Sequence, residues 1–121
     1  MKIPRILVVD DDSSIRNFVQ VNLEARGYQV LTAPDGEKAI LIAKKEKPDL
    51  LILDIVMPEM DGFSVCRKFR QWSGAPVIML SAREGDGDKE KCAACGANDY
   101  LTKPFVLREL LDQVKILLKQ N

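Results

Sequence analysis

The residues able to do chemistry in this chain are mostly acidic, and they stand at the ends of apolar runs. Ile6-Leu-Val-Val is followed by Asp10, Asp11 and Asp12, and Leu50-Leu-Ile-Leu is followed by Asp54. Ser81 closes a third apolar run, and Thr102-Lys103 closes a fourth. Carboxylates brought together repel, so at least one pKa rises unless a cation joins them. The chain has no histidine, and oxygen donors without nitrogen or sulfur suit Mg²⁺, which favours octahedral oxygen and keeps several waters. A hydroxyl at Ser81 and an ammonium at Lys103 would complete a phosphoryl-binding set. Carboxylates serve as nucleophiles that form aspartyl-phosphates, and a metal with a lysine neutralises charge on the transferring group. Helix capping is the plainer explanation of an acidic run after a strand, and it accounts for Asp12 or Ser13. It does not account for Asp10 and Asp11 together with Asp54 from a different strand.

Such convergence requires elements that end at one edge, and the sequence alternates accordingly. Arg5–Asp10, Tyr28–Ala33, Asp49–Asp54, Pro76–Leu80 and Asn98–Thr102 read as short strands. Between them run helical patterns. Ile15, Phe18, Val19 and Leu23 share one spacing, with Gly27 as the stop, and Ala39, Ile40 and Ala43 mark a helix that ends before Pro48. Phe63, Cys66 and Phe69 stripe a third helix that breaks at Ser73-Gly74, and a polar helix runs from about Gly85 to Cys95. Leu107, Leu110, Leu111, Val114, Leu117 and Leu118 give a strongly amphipathic last helix. The Asp49–Asp54 run lacks polar alternation, as a strand buried on both faces does. The fold expected is α/β, a doubly wound five-stranded parallel sheet with helices on both faces. Ligands of such sheets bind at the carboxyl ends of the strands, near a switch in strand order.

Composition narrows the function classes. The 121 residues make one domain, 1–121, large enough for a core without staples. Lys plus Arg and Asp plus Glu both total 18, leaving no net charge to draw nucleic acid or an anionic membrane. The apolar runs are too short for a membrane span or a signal peptide, so a cytoplasmic location is expected. Cys92-x-x-Cys95 lacks the further ligands of a structural zinc site and lies at a helix end rather than a helix start. Together with Cys66 these read as small buried thiols.

Four segments closely resemble the receiver domain of two-component response regulators. They are Ile6-Leu-Val-Val-Asp-Asp-Asp12, Leu53-Asp-Ile-Val-Met-Pro-Glu-Met-Asp-Gly62, Val77-Ile-Met-Leu-Ser-Ala82 and Gly96-Ala-Asn-Asp-Tyr-Leu-Thr-Lys-Pro-Phe105. Each is weak alone, but four in this order are specific, and the likeness runs from Arg5 to about Lys119. It implies a flavodoxin-like, CheY-like sheet of strand order 2-1-3-4-5. It implies Asp54 as acceptor of a phosphoryl group from a sensor histidine kinase, with Asp10 and Asp11 as the acidic pair. Asp11 and Asp54 would bind Mg²⁺ directly, joined by the Val56 carbonyl. Ser81 and Lys103 would contact phosphoryl oxygens, and Lys103-Pro104 matches a peptide that is usually cis. Tyr100 matches the switch aromatic, which fills space vacated when Ser81 turns toward the phosphoryl group. The alternative for Tyr100 is a half-buried strand tyrosine with its hydroxyl in water. Val56 and Arg83 flank the path of a hydrolytic water, and an apolar Val56 implies slow self-dephosphorylation.

The segments Arg70-Gln-Trp-Ser73 and Asn98–Phe105 are most similar to receivers of the OmpR/PhoB transcription-factor class. That class pairs through its fourth helix, fifth strand and fifth helix, and reads DNA through a C-terminal winged helix. No winged-helix sequence follows Asn121, so an excised or a stand-alone receiver is expected. Lys89 and Glu109 fit one cross-dimer ion pair, and Leu111 falls at an expected apolar contact. However, Glu90 and Ala93 replace aliphatic residues, Asp99 faces Gln113 rather than an arginine, and Lys115 faces Ala94 rather than an acid. A charge in the apolar patch is more damaging than lost exposed ion pairs, so a weak homodimer is expected. Three other classes fit less well. An aspartate-nucleophile phosphatase needs a second Asp where Val56 stands, and a nucleotide-binding module needs a Gly-x-x-x-x-Gly-Lys loop. A degenerate interaction domain would not keep Asp11, Asp54, Ser81 and Lys103 together. The chain is therefore expected to be a phosphoacceptor switch rather than a turnover enzyme.

Overall fold

The computed structural model describes residues 2–82 and 86–119. Its strands are β1 (Arg5–Val9), β2 (Gln29–Ala33), β3 (Leu50–Asp54), β4 (Val77–Ser81) and β5 (Asp99–Thr102). Its helices are α1 (Ser13–Ala25), α2 (Gly36–Glu46), α3 (Gly62–Phe69), α4 (Asp86–Cys95) and α5 (Leu107–Lys119). The sheet is wholly parallel, as expected from the alternating pattern, and its order β2-β1-β3-β4-β5 is the one the receiver resemblance implies.

Alternation within each strand divides the core in two. Ile6, Val8, Leu50, Ile52, Ile78 and Leu80 face α1 and α5, meeting Val19, Leu23, Leu110 and Val114. Leu7, Val9, Leu51, Leu53, Val77 and Met79 face the other way, against Ala39, Ala43, Phe63, Cys66, Phe69 and Cys92. Every residue of β3 and β4 is buried, in line with the unbroken apolar character of Asp49–Asp54. Each buried Leu, Ile or Phe contributes about 1.5–3 kcal/mol relative to exposure, so the two layers pin each strand from both sides.

Local signals set most helix boundaries. Asp12 caps α1 by accepting from the Ser14 and Ile15 amides, and Gly27 follows the helix at φ 92°. Asp35 caps α2 and Asp61 caps α3 in the same way. The end of α3 departs from the sequence reading. The helix stops at Phe69, before Ser73-Gly74, and turns through Trp72. The backbone bonds loosen there to Gln71 N on Lys68 O and Trp72 N on Phe69 O, and Arg70 holds the turn in place. Its guanidinium donates to the carbonyls of Ser73 and Ala75 in the turn, and also to Gly96 O and Asn98 Oδ1.

The three cysteines are buried and free. Cys66 Sγ donates to Cys95 O at 3.3 Å and Cys95 Sγ to Cys92 O at 3.2 Å, while burial pushes the Cys66 and Cys92 thiols up to about 12. They pack α3 against α4, as the reading of inert thiols requires. Leu111, expected at a pairing surface, instead turns inward and is only 7% exposed. The amphipathic period of α5 places it on the core stripe with Leu110 and Val114.

Candidate functional site

Register brings the strand ends level. Val9 lies beside Leu53, so Asp10 and Asp54 emerge next to each other. Asp54 is opposite Leu80 and Ser81 is opposite Thr102, which places Ser81 and Lys103 at the same edge. The chain runs from β1 outward to β2 and returns across β1 to β3, so this edge is also the switch in strand order.

The acids do converge. Carboxylate oxygens of Asp10, Asp11 and Asp54 all lie within 4.8 Å of one another, with Asp10 and Asp54 buried and Asp11 exposed. Lys103 enters from β5, its Nζ 2.9 Å from Asp10 Oδ2 and 3.3 Å from Asp54 Oδ1. The Lys103–Pro104 peptide is cis, as expected. The second Asp10 oxygen accepts from the Asp12 amide, and Arg16 donates to the Asp10 carbonyl, so this residue also anchors the start of α1. Gly62 brings α3 close to the site, because a Cβ there would run into the Asp54 carbonyl oxygen.

Electrostatics follow from this crowding. Burial, then the nearby Asp10 charge, pushes the Asp54 carboxyl from 3.8 up to about 6, although Lys103 acts against the rise. Burial disfavours the Lys103 ammonium, but its hydrogen bond to Asp10 and the Asp54 charge outweigh that and raise its pKa. Three carboxylates facing one ammonium leave negative charge uncompensated. A hard, oxygen-seeking dication fits that donor set.

The remaining expected residues are more dispersed. Val56 lies two residues after Asp54 on the loop following β3 and is 55% exposed. Ser81 is buried, and its hydroxyl donates to Asp88 Oδ2 on α4 at 2.9 Å. Tyr100 is half-buried against the α2–α4 side of the core. Arg83 lies outside the described residues. Sequence reading missed Asp88, although a signal existed. Asp88, Cys92 and Cys95 fall at i, i+4 and i+7, so a carboxylate occupies a core-facing position.

Comparison with known proteins agrees with this geometry. Residues 6–115 match the family model described as the response regulator receiver domain. The alkaline phosphatase synthesis transcriptional regulatory protein PhoP of Bacillus subtilis is 47% identical over 118 residues, covering 97% of this chain and 49% of that protein. The DNA-binding dual master transcriptional regulator RpaA of Synechocystis is 44% identical over 121 residues, covering 98% of this chain and 50% of that protein. The receiver domain of the Francisella response regulator 1452 superposes with a TM-score of 0.92 at 37% identity, covering 97% and 98% of the two chains. This chain belongs to the response regulator receiver domain family. It spans about half the length of the curated relatives it matches.

Proposed function

We propose that the domain, spanning residues 1–121, is a phosphoacceptor switch in which Asp54 takes a phosphoryl group from the phosphohistidine of a sensor histidine kinase. The observation that carries this reading is the convergence of three carboxylates with the Lys103 ammonium 3.3 Å from Asp54. In the transfer, an Asp54 oxygen bonds phosphorus as the N–P bond breaks, and the electron pair stays on the departing imidazole. Lys103 offsets charge on the phosphoryl oxygens, and Ser81 can donate to them once it turns from Asp88. Asp10, Asp11 and Asp54, with the Val56 carbonyl, would hold Mg²⁺, which supplies charge neutralisation when bound. A groove lined by Ile15, Phe18, Ala82, Pro104 and Phe105 opens beside Lys103 and offers an apolar landing for the kinase.

Both curated relatives are named as transcriptional regulators, so transcription is the proposed output, reached through the α4-β5-α5 surface and Tyr100. The zero formal charge argues against direct nucleic-acid binding by this domain. No helix among the described residues is long and apolar enough to cross a membrane, and a cytoplasmic site of action is proposed. Pairing through α4-β5-α5 is proposed to be weak. Glu90 and Ala93 are exposed there, Leu111 is turned inward, and Asp99 Oδ2 is enclosed without a hydrogen-bond partner among the described residues. Turnover is limited to the domain's own phosphorylation and slow loss of phosphate.

Intact mass after incubation with acetyl phosphate and Mg²⁺ tests the reading. Wild-type protein should gain one phosphoryl group and Asp54→Asn none. Continuous release of phosphate without a stable adduct would indicate an enzyme instead.

A further inference from the structure

The buried stripe of α4 carries little apolar surface. It consists of Asp88, Cys92 and Cys95, whereas α3 buries Phe63, Val65, Cys66 and Phe69. The C-terminal end of α4 is nevertheless firmly tied. Arg70 donates to Gly96 O at 2.9 Å, and the Cys66 thiol donates to Cys95 O. The N-terminal half is tied differently, by a charged group in a position that would ordinarily hold an aliphatic residue. Asp88 is only 8% exposed, and its Oδ2 accepts from Ser81 Oγ at 2.9 Å. Each donor lost to a buried carboxylate is costly, so this bond couples the Ser81 rotamer to the seat of α4.

A serine hydroxyl has one proton to donate. While it is given to Asp88, it cannot be given to a phosphoryl oxygen on Asp54. We infer that Asp88 is a positioning residue that competes with the Asp54 phosphoryl group for the single Ser81 proton, holding the domain in its resting arrangement. The consequence reaches the output surface directly, because the competitor belongs to α4. Surrender of the Ser81 proton leaves Asp88 buried with one donor fewer, which favours movement of that half of the helix toward water. The end held by Arg70 and Cys66 then serves as the pivot. This inference rests on the phosphoacceptor reading of Asp54 and adds to it the element that opposes activation.

Beryllofluoride, with saturating Mg²⁺, provides a stable phosphoryl mimic for the test, and calorimetry on the whole chain provides its affinity. Removal of a competitor raises apparent affinity by the inverse of the competent fraction. Asp88→Ala should bind about tenfold more tightly than wild type, the scale of one hydrogen bond to a charged group. Asp88→Asn keeps the volume with a neutral acceptor and should gain roughly threefold; it also serves if the alanine variant folds poorly. In a Ser81→Ala background, Asp88→Ala should add nothing. Amide exchange over residues 88–91 should quicken in metal-free Asp88→Ala while residues 92–95 stay protected. Unchanged or weakened affinity in both Asp88 variants, or an equal gain in the Ser81→Ala background, would overturn the competition alone. Wild-type protein that takes up neither beryllofluoride nor phosphoryl from acetyl phosphate would overturn the phosphoacceptor reading, and the competition with it.

Discussion

Two cations mark opposite ends of the β4–β5 half of the sheet, and they have different work. Lys103, at the carboxyl end, faces the charged oxygens of Asp10 and Asp54. Arg70, at the amino end, faces neutral oxygens: the carbonyls of Ser73, Ala75 and Gly96 and the amide oxygen of Asn98. A cation among more carboxylates than it can neutralise leaves a field that a dication or a transferring phosphoryl group can answer. A cation whose donors each find a carbonyl leaves nothing to answer, and so acts as a clamp. The same sign of charge is thus reactive at one edge and structural at the other. The count and ionisation of the surrounding oxygens decide which.

That comparison can be broken most directly by exchanging the readouts. Lys103→Met should slow phosphorylation by acetyl phosphate about a hundredfold or more, the scale of losing one donor to a developing anion. Its fold should survive, as a matched urea titration would show. Arg70→Ala should do the reverse, losing about 2–4 kcal/mol in urea denaturation while Asp54 still gains one phosphoryl group by mass. If Arg70→Ala abolished phosphorylation in the folded state, the division between the two edges would fail.

A smaller effect sharpens the electrostatic half of the comparison. The Asp54 carboxyl titrates near 6 in the folded domain, above its ordinary 3.8. Between those values the native carboxyl holds more proton than the unfolded one, so the Asp54 contribution to stability falls as pH rises through that window and is largest below it. With divalent ions chelated, wild-type protein should lose roughly 1–2 kcal/mol relative to Asp54→Asn between about pH 4 and 6. Parallel pH profiles for the two proteins would contradict a crowded, undercompensated carboxyl edge. The smallest change expected is kinetic. Val56 is exposed two residues after Asp54 and its side chain cannot hydrogen-bond a water, so Val56→Asn should hasten phosphate loss from Asp54 by a few-fold. An unaltered half-life of the phosphorylated species would remove Val56 from that role.

Much of this was legible in sequence because its causes are local. Period-two and period-3.6 apolar patterns specify strands and helices residue by residue, and their strict alternation leaves few topologies other than a doubly wound sheet. Once strands are parallel, residues that end them share an edge, which puts Asp10, Asp54, Ser81 and Lys103 on one side of the sheet, while strand order and register bring them together. Caps were equally readable, since Asp12 acts on amides only two and three residues away. Other outcomes depended on partners far along the chain. The clamp on the turn after α3 needed Arg70 to find Gly96 and Asn98. The amphipathic period already put Leu111 on the core stripe of α5, and its burial there bears out that reading over the pairing contact. The raised pKa of Asp54 required burial and Asp10 to act together against Lys103, a balance that residue types do not specify. By itself the sequence determined which chemical groups stand at the reactive edge, because strand ends are a property of pattern. Tertiary structure alone decided where the proton of Ser81 goes, because only the packing of α4 on the sheet brings the Asp88 carboxylate to 2.9 Å from that hydroxyl.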